Sequence, residues 1–234
     1  MQDSAITYFF WEIMQHAKQH WGMALDLERC IGCHACSVAC KVENEIELGV
    51  FRTKVYYYDS GVFPALRRAF LPTLCMHCED APCVQACPTD SIKRADNGIV
   101  GINVNSCNSS GNCVRACPYG AIHIDPVYNV ADKCDFCAHR LEAGMQPACV
   151  EACPADVFKF GDLRDPDSAI VRFQEKYRDQ LAVLKQEKGT RPQVQYRGLG
   201  TAVPQAIEQK IPEGRNHDPV SYEVDTWDQL KSTF

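Results

Sequence analysis

Cys83-Val84-Gln85-Ala86-Cys87-Pro88, Cys113-Val114-Arg115-Ala116-Cys117-Pro118 and Cys149-Val150-Glu151-Ala152-Cys153-Pro154 repeat one form, C-V-x-A-C-P. Cys36-Ser37-Val38-Ala39-Cys40 is a fourth, diverged copy without the proline. Self-similarity of this kind means that one local module has been used four times. Each copy ends a cysteine group. Group one is Cys30, Cys33, Cys36 and Cys40; group two is Cys75, Cys78, Cys83 and Cys87, with a two-residue insertion before its third cysteine. Group four is Cys134, Cys137, Cys149 and Cys153, opened in the middle by a longer loop carrying His139, Arg140 and Gly144. Group three holds only Cys107, Cys113 and Cys117. The C-x2-C-x2-C-x3-C ruler puts its missing member at Ser110, within Asn108-Ser109-Ser110-Gly111-Asn112, which accounts for the odd total of 15 cysteines.

A cysteine content this high means either a disulfide framework or a metal framework. Disulfides scatter along small secreted domains, whereas these cysteines fall into tight groups, so metal is favoured. Zinc sites usually draw on two CxxC pairs with an occasional His, and triplets followed by a fourth Cys and a Pro do not fit them. Three cysteines two residues apart on a tight loop can wrap three irons of a cubane cluster while the fourth points away. In two-cluster ferredoxins that fourth Cys ligates the other cluster, so ligand exchange pairs the groups.

Composition removes other classes. The formal charge is −6 and no Lys/Arg run exceeds two residues, so the basic footprint of a nucleic-acid binder is missing. No stretch approaches about eighteen uncharged apolar residues, so no transmembrane segment is expected. Residues 1–22 open with Asp3 and carry Glu12, unlike a secretory or twin-arginine signal. Within them Ile6, Phe9, Phe10, Ile13, Met14, Ala17 and Trp21 recur at helical spacing. They predict an amphipathic helix, packed either on this chain's own core or on a partner.

Between the cysteine groups the pattern is short and strand-like: Ile99-Val100-Gly101-Ile102 after the turn Asp96-Asn97-Gly98, then Ala121-Ile122-His123-Ile124, and Val157-Phe158-Lys159-Phe160. The expected fold is α+β, with residues 23–162 as a tandem ferredoxin-like domain of two double-cluster modules built from short hairpins and helices. Residues 163–234 are expected to form a helix, over 168–188, and an extended C-terminal arm. The arm is rich in Gly, Pro and Gln from Gly189 to Pro219. Tyr196, Leu199, Ile207, Tyr222 and Trp227 are costly to leave in water, which favours ordering of the arm on partner subunits.

With these residues in place, the chain resembles the four-cluster beta subunits of the dimethyl sulfoxide reductase superfamily of molybdenum enzymes. Cys40-Lys41-Val42-Glu43-Asn44-Glu45, Cys134-Asp135-Phe136-Cys137-Ala138-His139-Arg140-Leu141, Phe160-Gly161-Asp162-Leu163 and Gly189-Thr190-Arg191-Pro192 are similar to the polysulfide and tetrathionate reductase-like branch. The resemblance implies that groups one and four pair and that groups two and three pair. Carried over, it gives a cluster A on Cys30, Cys33, Cys36 and Cys153, and a cluster B on Cys40, Cys134, Cys137 and Cys149. Cluster C falls on Cys75, Cys78, Cys83 and Cys117. Cluster D has only Cys87, Cys107 and Cys113, with Ser110 at the vacant ligand position. The expected cofactors are three [4Fe-4S] clusters and one [3Fe-4S] cluster, the rival being a fourth [4Fe-4S] with Ser110 oxygen or water on the fourth iron. A third reading makes Ser109 or Ser110 a turn residue that caps local backbone groups.

The resemblance further implies a non-catalytic electron-transfer subunit of an anaerobic-respiratory oxidoreductase. It would relay single electrons between a molybdopterin-containing catalytic subunit and a quinone-reactive integral membrane subunit. No nucleophile elbow or Gly-rich dinucleotide loop offers catalysis of its own. The expected location is peripheral on the bacterial cytoplasmic membrane, the periplasmic face favoured through export with a partner and the cytoplasmic face the alternative. The competing readings are a free-standing polyferredoxin carrier and the electron subunit of a hydrogenase or formate dehydrogenase. His77, His123 and His139 are read as hydrogen-bonding groups rather than ligands. Lys41, Arg115, Lys133 and Arg140 stand beside cluster cysteines, where they either offset thiolate charge or are solvated.

Overall fold

The computed structural model describes residues 19–201. In chain order the elements are β1 (Trp21–Asp26), α1 (Ala35–Glu43), β2 (Lys54–Ser60), β3 (Arg67–Thr73), α2 (Pro82–Gln85), β4 (Ile92–Arg94), β5 (Val100–Ile102), α3 (Asn112–Ala116), β6 (Ile122–Ile124), β7 (Ala131–Lys133), α4 (Ala138–Glu142), α5 (Ala148–Glu151), β8 (Phe158–Asp162), α6 (Ala169–Lys176), β9 (Leu181–Ala182) and β10 (Val194–Arg197). The class is α+β, as expected.

The repeated motif becomes a repeated structure. In three copies C-V-x-A is a single short helical turn, α2, α3 or α5, and the proline after the last cysteine cannot continue it. Three residues past that cysteine the backbone turns left-handed, at Asp90, Gly120 and Asp156 (φ 51°, 57° and 51°), and a strand begins at Ile92, Ile122 and Phe158. Group one lacks the proline, so α1 runs on past Cys40 to Glu43. Helices of the same pair of groups meet: α1 packs on α5, and α2 on α3.

The structural centre is a four-stranded sheet in the order β8-β1-β10-β9. β1 pairs antiparallel with β8, with Met23 opposite Phe160, and parallel with β10, with Leu25 opposite Tyr196. Alternation splits the faces of β1. Met23 and Leu25 enter the main core, whereas Ala24 packs on Ile170 and Phe173 of α6. Ser168 caps α6 by accepting the Val171 N–H at 3.4 Å. The remaining strands form three two-stranded hairpins, β2-β3, β4-β5 and β6-β7.

Four expectations are adjusted. Residues 1–18 of the expected N-terminal helix lie outside the described residues, and Trp21 and Gly22 open β1, since both pair with β8. The helix expected over 168–188 stops at Lys176, where Tyr177 folds back onto Phe173 with ring centroids 4.8 Å apart. Of the expected arm, Val194 and Tyr196 are fully buried in this chain's own sheet, so their burial needs no partner. Residues 202–234 of that arm lie outside the described residues. Finally, Arg140 is held neither by thiolates nor by solvent but by the carboxylates of Glu43 and Glu151.

Candidate metal centres

All 15 cysteines lie among the described residues and none is disulfide-bonded. The four loops that carry them share a backbone feature. The residue before each second ligand position is left-handed: Gly32 (φ 67°), His77 (φ 43°), Ser109 (φ 55°) and Phe136 (φ 58°). Non-glycine residues rarely adopt this conformation, so its recurrence at one place marks a shared loop geometry. At Gly32 there is a second constraint, because a Cβ would run into the Phe70 ring. Loops of this kind turn backbone N–H groups inward, which suits an anionic thiolate-bound group. Several N–H groups do point at sulfur: Phe136 donates to Cys134 Sγ at 3.4 Å, Val157 to Cys153 Sγ at 3.4 Å and Ala131 to Cys107 Sγ at 3.5 Å.

The electrostatics of the thiols sort them into sets. Burial pushes Cys30 up, and Cys153 and Cys33 beside it add to the effect. Cys36 is pushed up to about 12, chiefly by burial, with Cys30 and Cys153 again its cysteine neighbours. Burial likewise raises Cys40, to about 11, beside Cys137, while Cys149 is raised by burial and then by Cys40 and Cys137. Cys134 is raised by burial and then by Cys40, with Cys149 also near. Cys78 is pushed up to about 12 by burial and by Cys75 and Cys117, and Cys83 is raised by the same causes. These last four sulfurs line one cavity, closed by Met76, Val100 and Ile122. Cys113 is raised by burial and then by Cys107 and Cys87. Cys87 differs: burial raises it, but N–H groups of Thr89, Ile92 and Ser91 with the Thr89 hydroxyl outweigh that and hold it below the usual thiol range. The leading mutual influences thus run among four thiols in three cases and among three thiols in a fourth.

Influence also passes between the sets, since Cys36 contributes to the shift of Cys149 and Cys75 to that of Cys134. Among the described residues no three His, Cys, Asp or Glu side chains converge closely enough to hold a single ion. Tetrahedral zinc at about 2.3 Å from each sulfur would demand that convergence. Sulfurs spread around a multi-iron cluster do not, and a four-thiol donor set suits such a cluster.

Ser110 sits where the ruler placed it. Ser109 and Gly111 (φ 55° and 68°) repeat the conformations of Gly32 and His34 (φ 67° and 60°), so Ser110 matches Cys33 in the loop, and both side chains are exposed. The two serines differ in what they hold. Ser109 Oγ donates to Asn129 Oδ1 at 3.1 Å, a local brace, whereas the Ser110 backbone is held by Asn108 Oδ1 at 3.2 Å and Arg115 at 3.4 Å.

Around the loops stands Arg52, which sequence reasoning passed over, beside several residues that it named. Arg52 donates to both Asp132 oxygens (2.9 and 2.7 Å), to Asn44 Oδ1 (2.8 Å) and to Asp135 Oδ1 (3.4 Å), tying the segment after α1 to β7 and the group-four loop. Asn44 in turn donates to Cys40 O at 2.9 Å. Nothing local in the sequence signals this brace. Arg140 pairs with Glu43 at 2.7 Å and Glu151 at 2.5 Å and so clamps α1 to α5. His139 meets Glu43 at 2.8 Å, His77 Nδ1 accepts the Val100 N–H at 3.0 Å, and His123 lies 3.2 Å from Asp132. Lys41 donates to Glu47 O and Val50 O at 2.6 and 2.8 Å, Arg115 is exposed, and Lys133 is buried.

Comparison with known proteins points to iron–sulfur binding. A 4Fe-4S dicluster domain matches residues 66–163 and a 4Fe-4S binding domain matches residues 21–42. A tetrathionate reductase subunit of Salmonella typhimurium is 43% identical over 187 residues, covering 79% of this chain and 75% of that protein. A putative dimethyl sulfoxide reductase iron-sulfur subunit of Halobacterium salinarum is 37% identical over 207 residues, covering 76% and 78%. The thiosulfate reductase electron transfer subunit of Salmonella typhi is 43% identical over 175 residues, covering 72% and 90%. Among the described residues no helix is long and apolar enough to cross a membrane.

Proposed function

The chain belongs to the iron–sulfur beta subunits of the dimethyl sulfoxide reductase superfamily of molybdenum enzymes, electron-transfer subunits of reductase complexes, and we propose that it carries four clusters in one line. The observation that supports this reading most directly is the sorting of the thiols. Cluster A is assigned to Cys30, Cys33, Cys36 and Cys153; cluster B to Cys40, Cys134, Cys137 and Cys149; cluster C to Cys75, Cys78, Cys83 and Cys117. Cluster D is assigned to Cys87, Cys107 and Cys113 as a three-iron cluster, with Ser110 at the empty ligand position. The neighbour relations Cys36 to Cys149 and Cys75 to Cys134 favour the order A–B–C–D. The repeated helix-turn-strand units and the packing of α1 on α5 and of α2 on α3 favour two ferredoxin-like modules.

The bound clusters supply one-electron redox chemistry without bond making. The protein's own residues do the rest. Ten of the fifteen cysteines are buried, which would shield most of the thiolates from water, and backbone N–H groups meet several of the sulfurs. Arg52, Arg140 and their carboxylates lock the modules so that spacing between neighbouring sets stays fixed. Electrons would pass between a molybdopterin-containing catalytic subunit and a quinone-reactive membrane subunit of a peripheral complex, on the periplasmic face of the cytoplasmic membrane. The test is iron and molybdenum analysis with low-temperature EPR on the complex purified from native membranes. About fifteen irons per chain, co-purifying molybdenum and a three-iron signal lost on reduction are expected. Recovery of the chain alone and free of molybdenum would overturn the assigned partners and leave a diffusible carrier.

A further inference from the structure

Lys133 is the last residue of β7 and only 3% exposed, a rare state for a lysine. Its ammonium donates to two backbone carbonyls that belong to different modules. One is Cys134 O, at 3.0 Å, on the loop of groups one and four; the other is Val100 O, on the β4-β5 hairpin. Val100 lines the cavity that also holds the sulfurs of Cys75, Cys78, Cys83 and Cys117. The side chain therefore spans the boundary at which one set of thiols ends and the next begins, and its charge lies within reach of Cys75, Cys83 and Cys134. Of the neighbouring cations, Arg52 is part-buried and committed to the carboxylates of Asp132 and Asp135, and the buried Lys54 acts on Cys117. Two carbonyls take two of the three N–H donors of Lys133 but none of its charge. Removing a charge from water is costly, and a packed apolar side chain would have filled the space without that cost. The adjacent thiolates of two anionic clusters offset it.

We infer that Lys133 is the shared counter-charge of the two inner clusters, B and C, and that it raises the reduction potential of both, smoothing the electron's passage between modules. This deepens the four-cluster reading and rests on it. The sign follows from electrostatics. Reduction adds one negative charge to a cluster, a nearby fixed cation favours the more negative state, and no proton need move.

The experiment is an EPR redox titration of the whole complex carrying wild-type chain, Lys133→Met or Lys133→Arg, with iron analysis of each. In Lys133→Met the midpoints of B and C should both move to lower potential while those of A and D stay in place. Lys133→Arg should return B and C towards wild-type values. Full iron with four unmoved midpoints in Lys133→Met would overturn the inference, as would an equal shift of all four. Should Lys133→Met lose iron, Lys133→Arg decides: full iron and wild-type midpoints support the shared charge, and loss of iron or shifted midpoints in it refute the idea. A wild-type complex that lacks four cluster signals would instead bring down the underlying reading before any variant is compared.

Discussion

Replacing Ser110 by Cys should convert the three-thiol site into a four-thiol one. The loop needs no rebuilding for this, because Ser109 and Gly111 (φ 55° and 68°) already hold the conformations that Gly32 and His34 (φ 67° and 60°) hold around Cys33. The new sulfur would stand where an exposed cysteine stands in group one, so the change in fold stability should stay within about 0.5 kcal/mol, as for other surface substitutions. The readout is in the metal instead. Three four-iron clusters and one three-iron cluster hold about fifteen irons, and a completed fourth cubane brings this to about sixteen. In the oxidised complex the three-iron EPR signal should vanish, and a fourth cubane signal should grow in on reduction. Iron unchanged at about fifteen, with the three-iron signal intact, would refute the equivalence of Ser110 and Cys33. A wild-type complex that already holds about sixteen irons would refute the three-iron assignment itself.

The other outcomes test the pairing, the core and the braces. Cys153→Ala should abolish the same EPR signal as Cys30→Ala, and Cys149→Ala the same signal as Cys40→Ala; separate losses would break the pairing. Tyr196→Ala empties a fully buried place in β10 and should cost about 3–5 kcal/mol in urea denaturation. Tyr196→Phe removes only a hydroxyl that donates to Pro72 O at 3.2 Å, and should cost about 1 kcal/mol. Arg52→Met leaves Asp132 and Asp135 without their cation and should cost about 3–5 kcal/mol, read as a lowered unfolding midpoint of the complex. Lys133→Met, with its paired downward shift in potential, completes the set.

How much of the fold is legible in the sequence depends on what each feature obeys. Ligand loops obey covalent spacing, so the cysteine groups and the position of Ser110 are legible residue by residue. The strands over 99–102, 121–124 and 157–160 are legible from their short apolar runs, whereas three-residue β4 after Cys87 carries too little pattern to be read. Nor is β10 legible. Only Val194 and Tyr196 alternate there, within a Gly- and Pro-rich stretch, and the strand exists because β1 offers a parallel edge about 170 residues away in sequence. A pattern that short cannot report a pairing decided by tertiary contact. The end of α6 is hidden in the same way. Tyr177 leaves the helix to lie between Phe173 and the guanidinium of Arg197, 4.1 Å from its ring, and Arg197 reaches that place only through β10. The Arg52 brace depends on Asp132, brought near by the β6-β7 hairpin, and carries no sequence signal at all.

The buried thiols bear on how such a chain can fold. Cys36, Cys75, Cys83, Cys113, Cys134 and Cys149 belong to the main core beside Leu25, Leu71 and Ile92, so the cluster sites are not appended to a finished interior. Burial pushes Cys36 and Cys78 up to about 12 and Cys40 to about 11, so without metal these groups would be neutral thiols at neutral pH. Iron ligation requires thiolate, so loading must release protons from the interior and replace each thiol's hydrogen by a metal bond. With hairpin strands of three residues in β4 to β7, little conventional core stands behind each loop. Metal bonds must then supply much of what a larger apolar interior would. Cluster insertion and folding would then be one process, and under the proposed pairing of Cys153 with Cys30, cluster A would not be completed before most of the chain is made.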